Sequence, residues 1–84
     1  MHRYTVPADG VDYVIGLCGE IRHAALGQLV DEVDFWAEHE GGSVVPRAFR
    51  VFGTGQPIPD GYAYQGTTER QRGIVWHLYE HVSY

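Results

Sequence analysis

The chain lacks lysine and asparagine, and all six of its cationic side chains are arginines. These arginines are dispersed along the sequence, and the formal net charge is −5. Nucleic-acid binding depends on clustered cations that release counterions from phosphates, so the composition predicts no direct binding of DNA or RNA. Lysine and asparagine codons are rich in A and T, so the absence of both residues fits a G/C-rich genome.

Cysteine is nearly absent, because Cys18 is the only one. A single cysteine excludes an intramolecular disulfide and a cysteine-based zinc site, and nothing else in the sequence predicts a cofactor. Long apolar runs are also missing. No segment approaches the ~20 apolar residues that cross a bilayer, and no N-terminal run has the pattern of a signal peptide. We therefore expect a cytoplasmic protein without membrane contact.

What is present indicates an ordered protein of one domain, residues 1–84. Hydrophobic residues make up 44% of the chain and aromatic residues 13%, which argues against intrinsic disorder. A chain of 84 residues buries a small share of its surface, so close packing or self-association is needed for stability. We expect a homo-oligomer, with a twofold dimer favoured.

Three segments have strand patterns. Residues 11–17 place Val11, Tyr13 and Ile15 on one face. Residues 47–52 place Phe49 and Val51 on one face. Residues 73–82 are apolar on both faces, which is typical of a strand that is buried centrally or lies at a subunit contact.

The segment 19–40 is ambiguous. Its helix formers fall at helical spacing from Ile21 to Trp36, yet Gly27 interrupts them and costs a helix about 1 kcal/mol. Residues 33–40 alternate instead, with Val33 and Phe35 on one face. Propensity alone leaves open one long helix or two strands joined near residues 27–31.

The second half of the chain carries motifs that resemble those of a family of small uncharacterised proteins, encoded mostly by bacteriophages and by bacteria carrying prophages. The resemblance rests on Arg47-x-Phe49-Arg50-Val51-Phe52-Gly53-Thr54-Gly55-x-Pro57-Ile58-Pro59, Tyr64-x-Gly66-Thr67 and Val75-Trp76-His77-x-Tyr79-Glu80. It implies strands joined by short turns and brings no catalytic residues. With the G/C-rich signature it suggests a phage of actinobacteria, and so the host cytoplasm.

The resemblance favours the two-strand alternative for the ambiguous segment. We predict an all-β protein, a small antiparallel sandwich or partly open barrel of about six or seven strands. Residues 26–34 look longer and more helix-prone than the family pattern, so one short helix within 24–34 stays open.

Three groups of residues resemble catalytic or ligand-binding motifs, but each lacks other residues that the chemistry needs. His77-Leu-Tyr-Glu80-His81 matches the H-x-x-E-H string of zinc peptidases, but on a strand its histidines lie about 13 Å apart. Cys18 has His23 five residues on, without an orienting group. Gly53-Thr54-Gly55 resembles an anion-binding turn without a lysine or a following helix. We predict that the protein is not an enzyme.

Protein binding is the predicted function, through exposed aromatic and acidic side chains around Trp36, Glu38, Tyr62 and Tyr64. Glu38 belongs to an acidic run interpreted mainly as a solvated face: Asp31, Glu32, Asp34, Glu38 and Glu40. The partner would be a host protein or a second copy of the chain. Two alternatives are a structural component of the virion or its assembly, and ligand binding or catalysis by the Gly53–Gly61 loop with His77.

Overall fold

The computed structural model describes residues 1–27, 31–39, 43–70 and 73–82. Seven strands account for most of them. In chain order they are β1 (His2–Pro7), β2 (Tyr13–Leu17), β3 (Ile21–Leu26), β4 (Glu32–Ala37), β5 (Val45–Gly53), β6 (Tyr62–Thr67) and β7 (Trp76–His81). The described residues contain no helix, and therefore none that could cross a membrane.

The strands form two sheets in which every neighbouring pair is antiparallel. One sheet has three strands in the order β1-β4-β3, and the other has four in the order β2-β5-β7-β6. The sheets pack face to face and do not close into a barrel. The prediction of an all-β fold with about six or seven strands is confirmed, and of its two forms, sandwich or partly open barrel, the sandwich is observed.

The ambiguous segment forms two strands. Residues 24–26 belong to β3 and residues 32–34 to β4, so the part of 24–34 that the structure describes holds no helix; residues 28–30 lie outside it. The N–H of Gly27 donates to the carbonyl of Glu32 over 2.9 Å, which closes the hairpin. Burial of the alternating apolar side chains of β4 outweighs the helix propensity of the segment.

The core lies between the sheets. Phe35 of β4 meets Phe49 of β5 with ring centroids 5.0 Å apart. Tyr4 of β1 stacks on Phe35, with centroids 5.3 Å apart. The buried residues of this core alternate with outward residues along each strand, as expected for a two-layer sandwich. They are Val6, Leu17, Ala24, Val33, Phe35, Ala37, Phe49, Val51 and Leu78.

Strand β7 lies inside the four-stranded sheet, between β5 and β6. Its inner face brings Leu78 into the core, and its outer face carries Tyr79, which contacts other aromatic rings. The central position accounts for the two-faced apolar pattern of residues 73–82. That pattern therefore gives no separate support to a subunit contact at β7.

Candidate binding face

The outer face of the four-stranded sheet is covered by aromatic rings. Strands β5, β6 and β7 each contribute at least one, because side chains at every second position of a strand point to the same face. We define the aromatic face as the four rings Phe52, Tyr62, Tyr64 and Tyr79. Two imidazoles flank these rings, those of His77 and His81.

The rings pack on one another as a small second core. Phe52 is only 5% exposed although it points away from the sandwich interior, because Tyr62 and Tyr79 each contact its ring edge-on at 5.4 Å. Tyr64 lies 5.7 Å from Tyr79 and is 58% exposed. The face thus presents a closely packed aromatic surface from which one tyrosine, Tyr64, is exposed.

A carboxylate fixes one end of this face. Asp12, just before β2, accepts hydrogen bonds from Arg50 Nε (2.7 Å), the Tyr62 hydroxyl (2.7 Å) and His81 Nδ1 (2.8 Å). Tyr62 also stacks on the imidazole of His81, with centroids 4.7 Å apart. The guanidinium of Arg50 lies over the ring of Tyr62 at 5.3 Å, within the range of a cation–π contact.

These contacts shift two pKa values. Burial pushes the pKa of Asp12 upward, but the hydrogen bonds from Tyr62, His81 and Arg50 together outweigh it and hold that pKa below its ordinary value. Burial and the bond to the Asp12 carboxylate raise the pKa of Tyr62, so its hydroxyl keeps its proton and remains a donor. The charged carboxylate of Asp12 therefore fixes the position of the Tyr62 side chain on the outer face of the sheet.

A hydrogen-bond network around His77 fixes the other end. The imidazole of His77 lies between two threonine hydroxyls, with Nε2 3.1 Å from Thr54 Oγ1 and Nδ1 3.0 Å from Thr67 Oγ1. Thr67 also bonds to the hydroxyl of Tyr64. The threonine of the GTG turn and, through Thr67, the tyrosine of β6 are thus linked to one histidine. This network orients the exposed ring of Tyr64.

Glu80, the acid of the H-x-x-E-H string, has a structural partner. Its side chain is on the inner face of β7 and forms a two-pronged ion pair with Arg47, in which both N···O distances are 2.7 Å. Arg47 also donates to the carbonyl of Gly19 over 3.0 Å. The bond to Glu80 raises the pKa of Arg47 above its ordinary value. The two histidines of the string belong to separate networks on the opposite face of the strand.

The four residues predicted from sequence to bind a partner fall on two faces. Tyr62 and Tyr64 belong to the aromatic face, whereas Trp36 and Glu38 lie on the outer side of the three-stranded sheet. Trp36 contacts the imidazole of His23 with centroids 5.3 Å apart. Glu38 accepts a hydrogen bond from Arg22 Nε over 2.9 Å. Phe52 and Tyr79 were not predicted, although alternation along β5 and β7 could have identified them.

The acidic run is not a continuous solvated stripe. Asp34 is 4% exposed and accepts a hydrogen bond of 2.6 Å from the Thr5 hydroxyl, while Arg3 lies 3.9 Å from it. Glu38 is paired with Arg22, and Glu40 lies outside the described residues. Arginines therefore pair with two acids of this run, Asp34 and Glu38.

Cys18 lies beside a different histidine from the one that is near it in sequence. Its sulfur lies 3.1 Å from Nδ1 of His39, while His23 points away on the outer face of β3 beside Trp36. Across residues 1–27, 31–39, 43–70 and 73–82, no three histidine, cysteine or acidic side chains are arranged to hold a metal ion.

The Gly53–Gly61 loop borders an open depression of about 460 Å³, which is also lined by Trp76, Ile74 and Asp9. His77 is not among its lining residues, because its side chain points to the aromatic face. The loop and His77, predicted as parts of one ligand site, meet only through Thr54.

The family model for a domain of unknown function, DUF7352, matches residues 1–83. Neither the comparison with curated proteins nor the comparison with solved structures finds a match.

Proposed function

Since the chain belongs to the DUF7352 family, a domain of unknown function, we propose that it acts by binding another protein through the aromatic face. The observation that carries the proposal is the exposure of Tyr64 above a packed set of rings. Tyrosine and arginine are enriched among the residues that dominate binding energies at interfaces. A surface already held rigid loses little conformational entropy when a partner docks.

The polar groups around the rings suit recognition rather than chemistry. The Asp12 carboxylate is occupied by three donors, and the His77 imidazole is bonded through both of its nitrogens. A general base or a nucleophile needs a free position directed at a substrate. In the proposed role these groups keep Tyr62 and Tyr64 in place, and the protein has no catalytic activity.

The proposed source of the protein is a bacteriophage or prophage of an actinobacterium. The resemblance of residues 47–80 to phage-encoded proteins and the G/C-rich codon signature support this origin. A small accessory protein of this kind would meet its partner in the host cytoplasm. We therefore propose a host protein as the first candidate partner.

Affinity capture tests the proposal when the bait is varied face by face. The wild-type chain is immobilised and exposed to an actinobacterial lysate, beside Tyr64→Ala and Trp36→Ala variants. We expect a captured protein to be retained by Trp36→Ala and reduced at least about tenfold by Tyr64→Ala, a change of about 1.4 kcal/mol that is modest for a central interface residue.

Each outcome has a defined meaning because both variants alter an aromatic side chain on an outer face. Capture that is lost with Trp36→Ala and kept with Tyr64→Ala would move the binding site to the three-stranded sheet and contradict the proposal. Capture that neither substitution reduces would also contradict the proposal. Circular dichroism of both variants confirms that each bait is folded.

A further inference from the structure

The sandwich has four edge strands, and three of them carry features that prevent pairing with another strand. Strand β3 has a register irregularity between Ile21 and His23, and β6 has one between Tyr64 and Gly66. Strand β1 includes Arg3 and ends in Pro7. Bulges, edge charges and proline are the devices by which natural sheets avoid joining edge to edge.

Strand β2 is the fourth edge, and it has none of these devices. Its sequence, Tyr13-Val14-Ile15-Gly16-Leu17, contains no charge and no proline. Its register with β5 runs without a shift from Tyr13 to Leu17. Within the part of the chain that the structure describes, no strand pairs with its other side. Its backbone groups are therefore available to another strand.

The side chains beside this edge are apolar and exposed. Val14, on the outer face of β2, is 51% exposed, and Val44, just before β5, is 61% exposed. Val44 occupies the space above Gly16: its Cγ1 lies 2.5 Å from the point where a Cβ at position 16 would be. Val44 thus covers Gly16, which lies two positions from Val14 on the outer face of β2.

We propose that β2 pairs antiparallel with β2 of a second copy, about a twofold axis at Ile15. This register uses all five residues of the strand and places Val14 opposite Gly16 of the other copy. Opposite residues of an antiparallel pair have Cβ atoms about 5 Å apart. Val14 would therefore meet Val44 of the other copy, and the twofold axis repeats this contact.

The pairing is self-complementary in shape and charge. At each end of the pairing, Val14 of one copy lies opposite Gly16 of the other, which has no side chain of its own to obstruct it. The pairing sets no two like charges opposite each other, because β2 is uncharged. The two four-stranded sheets would become one sheet of eight strands. The inference does not rest on the aromatic face or on the proposed host partner.

The contact is small, and this sets the conditions for a test. One five-residue strand and two pairs of valines lie at the lower end of the sizes of specific interfaces, so we expect a dissociation constant in the micromolar range. At a protein concentration of about 0.1 mM such a dimer is nearly complete. Light scattering on the full chain should then give twice the 9.4 kDa of one chain.

Charge substitutions test the register. We expect V14E and V44E each to weaken dimerisation at least about tenfold, because a carboxylate would be set against a valine. The V14E/V44E double variant should be monomeric, whereas V14K/V44E should dimerise more strongly than either single variant, because opposite charges then meet twice. V82E, at an exposed valine that follows β7, a strand separated from β2 by β5, is the matched control and should remain dimeric.

Hydrogen exchange gives a second readout that does not depend on any variant folding. Amides of β2 that point away from β5 should be protected at about 0.1 mM and should exchange faster on dilution below the dissociation constant. A wild-type mass of one chain at about 0.1 mM would overturn the proposal. A dimer whose mass survives V14E/V44E, or an oligomer larger than two chains, would overturn it as well.

Discussion

At the scale of single residues, Asp12 connects parts of the chain that are far apart in sequence. It binds Arg50, Tyr62 and His81, which lie 38, 50 and 69 positions away along the chain. The three donors come from β5, β6 and β7, so this one carboxylate ties together the outer sides of three strands. A hydrogen bond to a charged group contributes more to stability than one between neutral groups.

Asp12→Asn should therefore lower the free energy of unfolding at neutral pH, by about 1–3 kcal/mol. The pH dependence has a defined sign. Because the pKa of folded Asp12 is lowered from 3.8, its contribution is fully present above pH 3.8 and is lost as pH falls through the lower folded value. The stability difference between wild type and variant should narrow below pH 3.8. Urea unfolding at a series of pH values measures this.

Asp60→Asn is the matched control, since Asp60 is an exposed carboxylate in the loop after β5. It should change the free energy of unfolding by no more than about 0.5 kcal/mol. If the gap between wild type and Asp12→Asn were the same at all pH values, the assignment of a lowered pKa to Asp12 would be wrong.

The residue-level contacts were only partly predictable from sequence. Tyr62 and Tyr64 were identified by residue type, and both lie on the aromatic face. Asp12 was not identified, because its partners are brought together by the strand order β2-β5-β7-β6, which no local spacing encodes. The neighbour of Cys18 was not identified either, because strand register, rather than distance along the chain, places His39 beside the sulfur.

At the scale of elements, the segment 19–40 shows how tertiary packing overrides propensity. Its residues are good helix formers, yet β4 buries Val33, Phe35 and Ala37 on one face against the other sheet. A helix would turn these side chains in different directions and leave part of them in water. Alternation over residues 33–37 was therefore the better guide than composition, but the sequence alone could not show that a second sheet was there to cover it.

The contact between β6 and β3 gives a prediction about elements. Gly66 is so close to the other sheet that a Cβ there would lie 2.9 Å from the Cβ of Ala24. Gly66→Ala should therefore push the sheets apart and lower the free energy of unfolding by about 1–3 kcal/mol. Chemical denaturation measures this loss.

A double-mutant cycle distinguishes this clash from other effects of the substitution. Removing the opposing methyl group with Ala24→Gly should restore part of the stability lost in Gly66→Ala, so that the two changes are coupled by about 0.5–3 kcal/mol. Additive effects would show that the two positions do not touch, and that the spacing between β3 and β6 differs from the one described.

At the scale of the whole molecule, the sequence predicted antiparallel sheets but not the order of the strands within them. Alternating strands separated by short turns indicate two antiparallel sheets, and those sheets are observed. Both β5 and β6 are antiparallel to β7 and therefore parallel to each other, so the connection between them runs from one end of the sheet to the other before β7 inserts between them. This late insertion makes the last strand central, and it explains why residues 73–82 are apolar on both faces without any second subunit.

The division into two sheets permits a direct test of whether residues 1–84 unfold as one unit. The chain has two tryptophans, and each sheet contains one: Trp36 in β4 and Trp76 in β7. Trp76→Phe leaves fluorescence to report on the three-stranded sheet, and Trp36→Phe leaves it to report on the four-stranded sheet. Because Phe35 and Phe49 join the sheets in one core, neither sheet should persist alone.

We therefore expect the fluorescence midpoint of each variant in urea to coincide with its own midpoint by circular dichroism. The comparison is made within each variant, so a loss of stability from either substitution does not affect it. Two separated midpoints would mean that one sheet unfolds first and that the chain is not a single cooperative domain. The dimer proposed at β2 forms only between folded chains. Both midpoints should therefore also rise together with protein concentration.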